Sequence, residues 1–384
     1  MKKVYFDSAA TTQLRDEVIQ RITEVLKTEY GNPSSTHSYG RSSKSLLENA
    51  RKEIAKLLNV SASEIIFTSG GSEADNLILK SAVRDLGVTR FISSRIEHHA
   101  VLHTLEWLQK EYKVQVDFVN LKKCGHVDFE HLESLLADTS KKTLVSLMHV
   151  NNEVGNLLDL EKVALLCKEH KALFHSDTVQ SMGHFELDFK VIPIDFATAA
   201  AHKFHGPKGA GFAFIRKNSG LRALIHGGEQ ERGLRAGTEA VYAIAGMAEA
   251  LKISYQNLEE ERKYITELKD YFMEQLSANF PGVKFNGGCE DNEHSTYTLL
   301  NVCLPISAEK AMLLLFQLDL KGIACSKGSA CQSGAEGGSH VLNEILSDED
   351  LSKPSIRFSF SSFNTKKEVD YVVDVLREFV TLGI

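Results

Sequence analysis

From about residue 41 the polar and apolar positions of the chain follow two periods in turn. Short apolar runs, EIIFTS (64–69), RFISS (90–94), VQVDFV (114–119), TLVSLMHV (143–150), ALFHSD (172–177), IDFATAA (194–200) and GFAFI (211–215), have the length and the β-branched or aromatic content of strands. Between them come amphipathic stretches: a helix from Ser72, another from about residue 99, DFEHLESLLA (128–137) and LEKVALLCKEH (160–170). Strand and helix in regular turn predict an α/β fold with a mostly parallel sheet wrapped by helices, and ligands at the carboxyl ends of the strands.

That regularity stops at a long helical stretch over 235–268. Beyond it lie VKFNGG, YTLLNVCL, the helix AEKAMLLLFQL, a loop rich in small residues, SIRFSF and a last helix from about 365, the pattern of a smaller α+β domain. The division expected is a large domain over 15–255 and a small one built from 1–14 and 256–384. No repeat, low-complexity segment or flexible linker interrupts the chain.

Length and composition narrow the picture only a little. At 384 residues, with 43% hydrophobic and 25% charged residues and a net charge of -7, the chain reads as an ordinary globular protein with no electrostatic case for nucleic acid or an anionic membrane. The start, MKKVYFDSAATT, lacks the apolar core of a signal peptide, and no run reaches membrane-spanning length. The 6 cysteines (124, 167, 289, 303, 325, 331) include no zinc-type pair, so no metal site is expected; they are expected reduced, in a cytoplasmic setting.

Two of those cysteines, Cys325 and Cys331, lie in GIACSKGSACQSGAEGGSH (322–340), a segment of small and flexible residues with little to build a core. Exposed thiols there are either incidental or the purpose of the segment. Three other motifs sit at strand ends. FTSGGSEADN (67–76) presents Gly70, Gly71 and Ser72 at a helix start, an anion seat or a plain cap in which Asp75 completes a capping box. FHSDTVQS (174–181) ends a strand in Asp177 with Gln180 three residues on; that carboxylate could hold a protonated ring nitrogen or cap a helix. ATAAAHKFHGPKG (197–209) sets Lys203 after a strand of small residues, where a lysine can lose its proton and form a Schiff base. A phosphate seat, a pyridinium partner and an imine lysine together spell pyridoxal phosphate.

With these motifs, DSAATT, GNPSSTHSYG, EHHAVL, MHVNNEVG, GGEQERGLRAGT, GSAC and SIRFS complete an ordered set spanning nearly the whole chain. In that order and spacing the chain resembles cysteine desulfurases of the NifS/IscS type, enzymes of the class V aminotransferase family. The resemblance implies a PLP-dependent transferase fold (fold type I), a homodimer and the cofactor pyridoxal 5'-phosphate. It implies that Lys203 binds the cofactor covalently, Asp177 pairs with the pyridine nitrogen and Gln180 reaches the phenolic oxygen. His98 would stack on the ring, and Asn152 would lie near the phenolic oxygen and the substrate. Gly71, Ser72 and His202 would hold the phosphate, with Thr238 of the partner subunit, and Arg357 would grip the substrate carboxylate.

The implied reaction turns L-cysteine into L-alanine and leaves a persulfide on Cys331, for delivery to a sulfur-acceptor protein of iron–sulfur cluster assembly or tRNA thiolation. Alternatives are a selenocysteine lyase, a related class V aminotransferase or a non-catalytic binding module. Two positions depart from the family pattern. Ala200 stands where a phosphate-binding serine is usual, and Thr178 stands where an alanine packs on the ring, so Thr178 is expected to crowd the ring or add a polar contact.

Overall fold

The computed structural model describes residues 2–327 and 338–381. In chain order the first half contains β1 (Val4–Tyr5), α1 (Asp16–Thr28), α2 (Ser38–Leu57), β2 (Ile65–Thr68), α3 (Gly71–Leu86), β3 (Arg90–Ser93), α4 (His99–Tyr112), β4 (Gln115–Phe118), α5 (Phe129–Leu136), β5 (Thr143–Ser146) and α6 (Leu160–Glu169). Then follow β6 (Leu173–Asp177), β7 (Phe196–Ala200), β8 (Gly211–Ile215), α7 (Val241–Gln256), α8 (Leu258–Asn279), β9 (Lys284–Phe285), β10 (Leu299–Cys303), α9 (Ala308–Leu320), β11 (Ile323–Ala324), α10 (His340–Ile345), α11 (Asp348–Leu351), β12 (Ser355–Ser359) and α12 (Lys366–Thr381).

The strands β2 to β8 form one sheet in the order β2-β8-β7-β6-β5-β3-β4. All neighbours are parallel except β8, which runs antiparallel to both β2 and β7. This is the mostly parallel sheet the alternation predicts. Successive strand residues point to opposite faces, and the apolar runs serve both. Ile65, Ile92 and Val145 join the core under α2, α6 and α7, while Ile66, Phe91 and Leu144 join the core under α3 and α4. Local capping starts several of the helices: the Asp128 carboxylate accepts from the backbone N–H groups of Glu130 and His131, and Asp159 from that of Lys162.

A separate apolar cluster gathers Phe272 and Leu276 of α8, Leu300 and Val302 of β10, Ile356 and Phe358 of β12 and Val369 and Leu376 of α12. Its antiparallel sheet has the order β12-β10-β9. Val4 and Phe6 pack into the same cluster, and β1 pairs in parallel with β11, so the first residues of the chain are built into the core formed by the last hundred or so.

One helix boundary differs from expectation. The helical stretch expected over 235–268 is two helices, parted at Asn257, with the second running on to Asn279. Residues 235–240 stay outside both because Gly237 has φ 109°, a left-handed conformation that no helix accommodates. Thr238 lies in that irregular stretch and is exposed.

Candidate active site

The carboxyl ends of β6 and β7, the start of α3, the start of α4 and the strand β12 converge with residues 9 and 10 on one cavity of about 230 Å³. Gly71, Ser72, His98, Asn152, Asp177, Gln180, His202, Lys203 and Arg357, all expected at the site, line it. Thr238 does not, and Cys331 lies outside the described residues.

Strand geometry explains the arrangement. β6 ends at Asp177 and β7 at Ala200, neighbouring parallel strands, so their following turns open on the same edge of the sheet. Asp177 is 7% exposed, and its Oδ1 accepts from the backbone N–H of Val179 at 2.9 Å. Burial, joined by the nearby negative charge of Asp75, pushes Asp177 up to about 6, while the His98 ring pulls it down. Asp75, the residue the sequence offers as a capping partner, is instead fully buried beside the His175 ring, 3.3 Å from Oδ1 to Nε2, and burial pushes it up to about 7. The N-cap of α3 is Gly70, with no side-chain cap, so Ser72 is not a capping residue.

Lys203 closes a short turn after β7. Its Nζ donates to the carbonyl oxygens of Ala9 and Ala10, at 2.5 and 3.0 Å. Gln180 Nε2 donates to the same Ala9 oxygen at 2.9 Å. The His202 ring beside Lys203 is driven down to about 4 by burial, with the charges of Lys203 and Lys208 adding to it, and its Nδ1 is buried without a hydrogen bond.

His98, rather than His99, lines the cavity. Its Nδ1 caps α4 by accepting from the backbone N–H of Ala100 at 3.1 Å, which places the ring proton on Nε2. Burial lowers its basicity, with Asp177 opposing and Lys203 reinforcing, so the ring is neutral at physiological pH. Arg357, in the fully buried strand β12, is 2% exposed. Its Nη1 donates to the Asn152 carbonyl at 2.7 Å and its Nη2 to Asp7 Oδ1 at 3.1 Å, while Nε is buried without a partner.

Thr178 requires a correction. Its hydroxyl donates to the carbonyl of Thr198 at 2.6 Å inside the sheet, and the residue is fully buried away from the cavity. It neither crowds the site nor offers it a polar group; Val179 lines the cavity instead. Ala200 does line it, with no hydroxyl to offer. The sequence reading also missed Asp75, Met148, Val150, Ala9 and Ala10. The motif DSAATT was the available signal for the last two, but they act through backbone carbonyls, which no residue type announces.

Fold and site together define a class: an α/β protein with a lysine, a strand-end carboxylate and a helix N-terminus around one cavity. The chain belongs to the aminotransferase class-V family, whose profile matches residues 4–372. It is 37% identical over 381 residues to the cysteine desulfurase IscS of Dictyoglomus turgidum, covering 99% of this chain and 95% of that protein. Among solved structures it is similar to a NifS-like protein, with TM-score 0.90, 35% identity and coverage of 99% of this chain and 100% of that one. It is also similar to SspA in complex with cysteine, with TM-score 0.81, 29% identity and coverage of 94% and 100%.

Proposed function

We propose that the chain is a cysteine desulfurase that uses pyridoxal 5'-phosphate, and that the residues around the cavity divide the work as their chemistry suggests. The observation that carries the reading is the convergence of Lys203, Asp177, His98 and Arg357, from four separate parts of the chain, on one cavity.

The donor set fits the cofactor. A Cβ at Gly71 would lie 2.7 Å from Val179 Cγ2, so only glycine lets the first turn of α3 stand this close to the turn after β6. The free N–H groups of that first turn, the Ser72 hydroxyl and the unpartnered His202 Nδ1 suit a phosphate. Asp177, buried and raised, gains from a cationic ring nitrogen beside it. Lys203 supplies the amine for an aldehyde, and the neutral His98 ring offers a flat face. When bound, pyridoxal phosphate supplies an electron sink for the substrate's α-carbon.

This chain's own residues then bind and move protons. Arg357 receives the carboxylate of L-cysteine with the N–H groups left after Asn152 and Asp7 have taken theirs. Lys203 would hold the cofactor, and its Nζ would serve as the base for the α-proton. The sulfur passes to Cys331: a bond forms between Cys331 Sγ and the substrate sulfur as the substrate Cβ–S bond breaks, the thiol proton goes to carbon, and L-alanine and an enzyme persulfide result. The persulfide is passed to an acceptor protein of iron–sulfur assembly or tRNA thiolation. The exposed Thr238 is assigned to the phosphate site of the second subunit of a homodimer, and the proposed division into 15–255 and 1–14 with 256–384 is supported by two large apolar clusters, although Ile96 and Val154 pack on Val341 and Leu342 across it. Among the described residues no helix is long and apolar enough to cross a membrane.

The test is direct. Loaded protein incubated with L-cysteine should yield alanine and a gain of about 32 Da on the peptide carrying Cys331, and sulfide once an added thiol reductant discharges that persulfide. Cysteine turnover without alanine, or a persulfide mapped elsewhere, would overturn the reading.

A further inference from the structure

The N-terminal motif DSAATT sets the Asp7 carboxylate against the Arg357 guanidinium. Asp7 Oδ1 accepts from Arg357 Nη2 at 3.1 Å and from the Ser326 hydroxyl at 2.8 Å. Ser326 is in turn bonded to the backbone of Arg357 in both directions, its carbonyl accepting at 2.7 Å and its N–H donating at 3.2 Å. Asp7 itself bridges to Ser359 at the end of β12. The Ala9 N–H donates to the Ser359 hydroxyl at 2.8 Å. The carboxylate is therefore pinned from its own backbone, and it pins the guanidinium from a direction different from that of the Asn152 carbonyl.

Those two contacts matter because of what they leave. A guanidinium has five N–H donors in a fixed plane. Asn152 and Asp7 each take one from a different terminal nitrogen, which fixes the plane while leaving Nε–H and one N–H on each terminal nitrogen. An arginine held at a single point could swing about that contact. Held at two, its remaining donors keep one direction, and a ligand carboxylate meets them without first having to order the side chain.

We propose that Asp7 is the positioning residue for carboxylate recognition: by fixing Arg357 it makes the cavity select an α-carboxylate. The inference rests on the reading of Arg357 given above. Charge alone argues for the opposite outcome, because an anion 3.1 Å from Arg357 weakens its pull on a second anion. The two effects are separable. Asp7→Asn keeps an oxygen acceptor and drops the charge, whereas Asp7→Ala drops both. Positioning requires that only the alanine variant lose the ligand.

The cofactor-loaded protein is titrated calorimetrically with 3-mercaptopropionate, which has the thiol and carboxylate but no amine to react with Lys203's partner, and with propane-1-thiol, which lacks the carboxylate. Wild type should favour the acid. Asp7→Ala should weaken the acid at least about tenfold and leave the thiol unchanged, while Asp7→Asn should stay within about threefold of wild type. Should the alanine variant not accumulate as folded protein, Asp7→Ser shortens the acceptor's reach and should show the same loss. Wild-type affinity for the acid in Asp7→Ala or Asp7→Ser, or an equal loss in Asp7→Asn, overturns the inference while leaving the proposed reaction standing. A wild-type protein that does not favour the acid takes the Arg357 assignment down with it.

Discussion

Asp75 and His175 meet 3.3 Å apart, Oδ1 to Nε2, both buried where α3 packs on β6, and neither atom makes a hydrogen bond of good geometry. The other ring nitrogen, Nδ1, is 2.9 Å from the Ser146 hydroxyl. Asp75 thus sits in a poorly compensated place, and burial pushes it up to about 7 while pushing His175 down to about 4.

The sign of the consequence for stability follows from linkage. An acid whose folded value is raised binds its proton more tightly in the folded chain, so its contribution is whole below its ordinary value of 3.8 and is lost as pH rises to about 7. His175 runs the other way, because the unfolded chain takes up its proton first as pH falls. Comparing Asp75→Asn with wild type, both free of cofactor, isolates the carboxyl. Denaturant unfolding should show near equality at pH 4 and a growing advantage for the variant, reaching about 1–4 kcal/mol by pH 8. An advantage that shrinks with rising pH would refute the assignment.

Gly71 tests the phosphate seat. Its added methyl group would sit 2.7 Å from Val179 Cγ2, so Gly71→Ala forces the turn after β6 away from α3 and should cost about 1–3 kcal/mol of stability. Titration of the cofactor-free protein should show weaker binding of pyridoxal phosphate. Adding Val179→Ala removes the colliding atom and should restore most of both losses, and a double variant no better than the single one would place the strain elsewhere.

Much of this was legible in the sequence because chemistry and topology coincide. Lys203 and Asp177 each follow a run of strand residues, and parallel neighbours in a sheet present their following turns on one edge. The misreadings share one cause, contacts that cross the chain. The burial of Asp75 against His175 joins residues a hundred positions apart, and local sequence allowed only a cap to be guessed for it. Thr178 was judged by its place in a motif, but its hydroxyl finds the Thr198 carbonyl of the next strand. Ala9 and Ala10 hold Lys203 through carbonyl oxygens that every residue type possesses.

Lys203 should be replaceable by nothing. Lys203→Ala removes both the amine that holds the cofactor and the base for the α-proton, so desulfuration should fall by about 10²–10⁴-fold or more. A separate readout does not depend on turnover: borohydride treatment of the loaded wild type should fix the cofactor's mass on the peptide containing Lys203. Finding it on Lys208, immediately before Gly209, would reassign the site.

Cys325 can be read as a structural residue, a resolving thiol or, with Cys331, a metal ligand, and its surroundings favour the first over the second. Burial, reinforced by the negative charge of Asp7, pushes its thiol up to about 12, with Arg357 only partly offsetting the effect. At pH 8 that leaves about one thiolate in ten thousand, too few for a nucleophile or a resolving partner. The residue also packs against the apolar cluster of β10 and β12. Cys325→Ser should therefore keep sulfide release within about twofold of wild type, its effect falling on stability through a half-buried hydroxyl, whereas Cys331→Ser should abolish both sulfide release and the persulfide. Iodoacetamide labelling of the native protein, read by peptide mass, should spare Cys325. A Cys325→Ser variant that stays folded yet cannot discharge its persulfide would show that this half-buried thiol takes part after all.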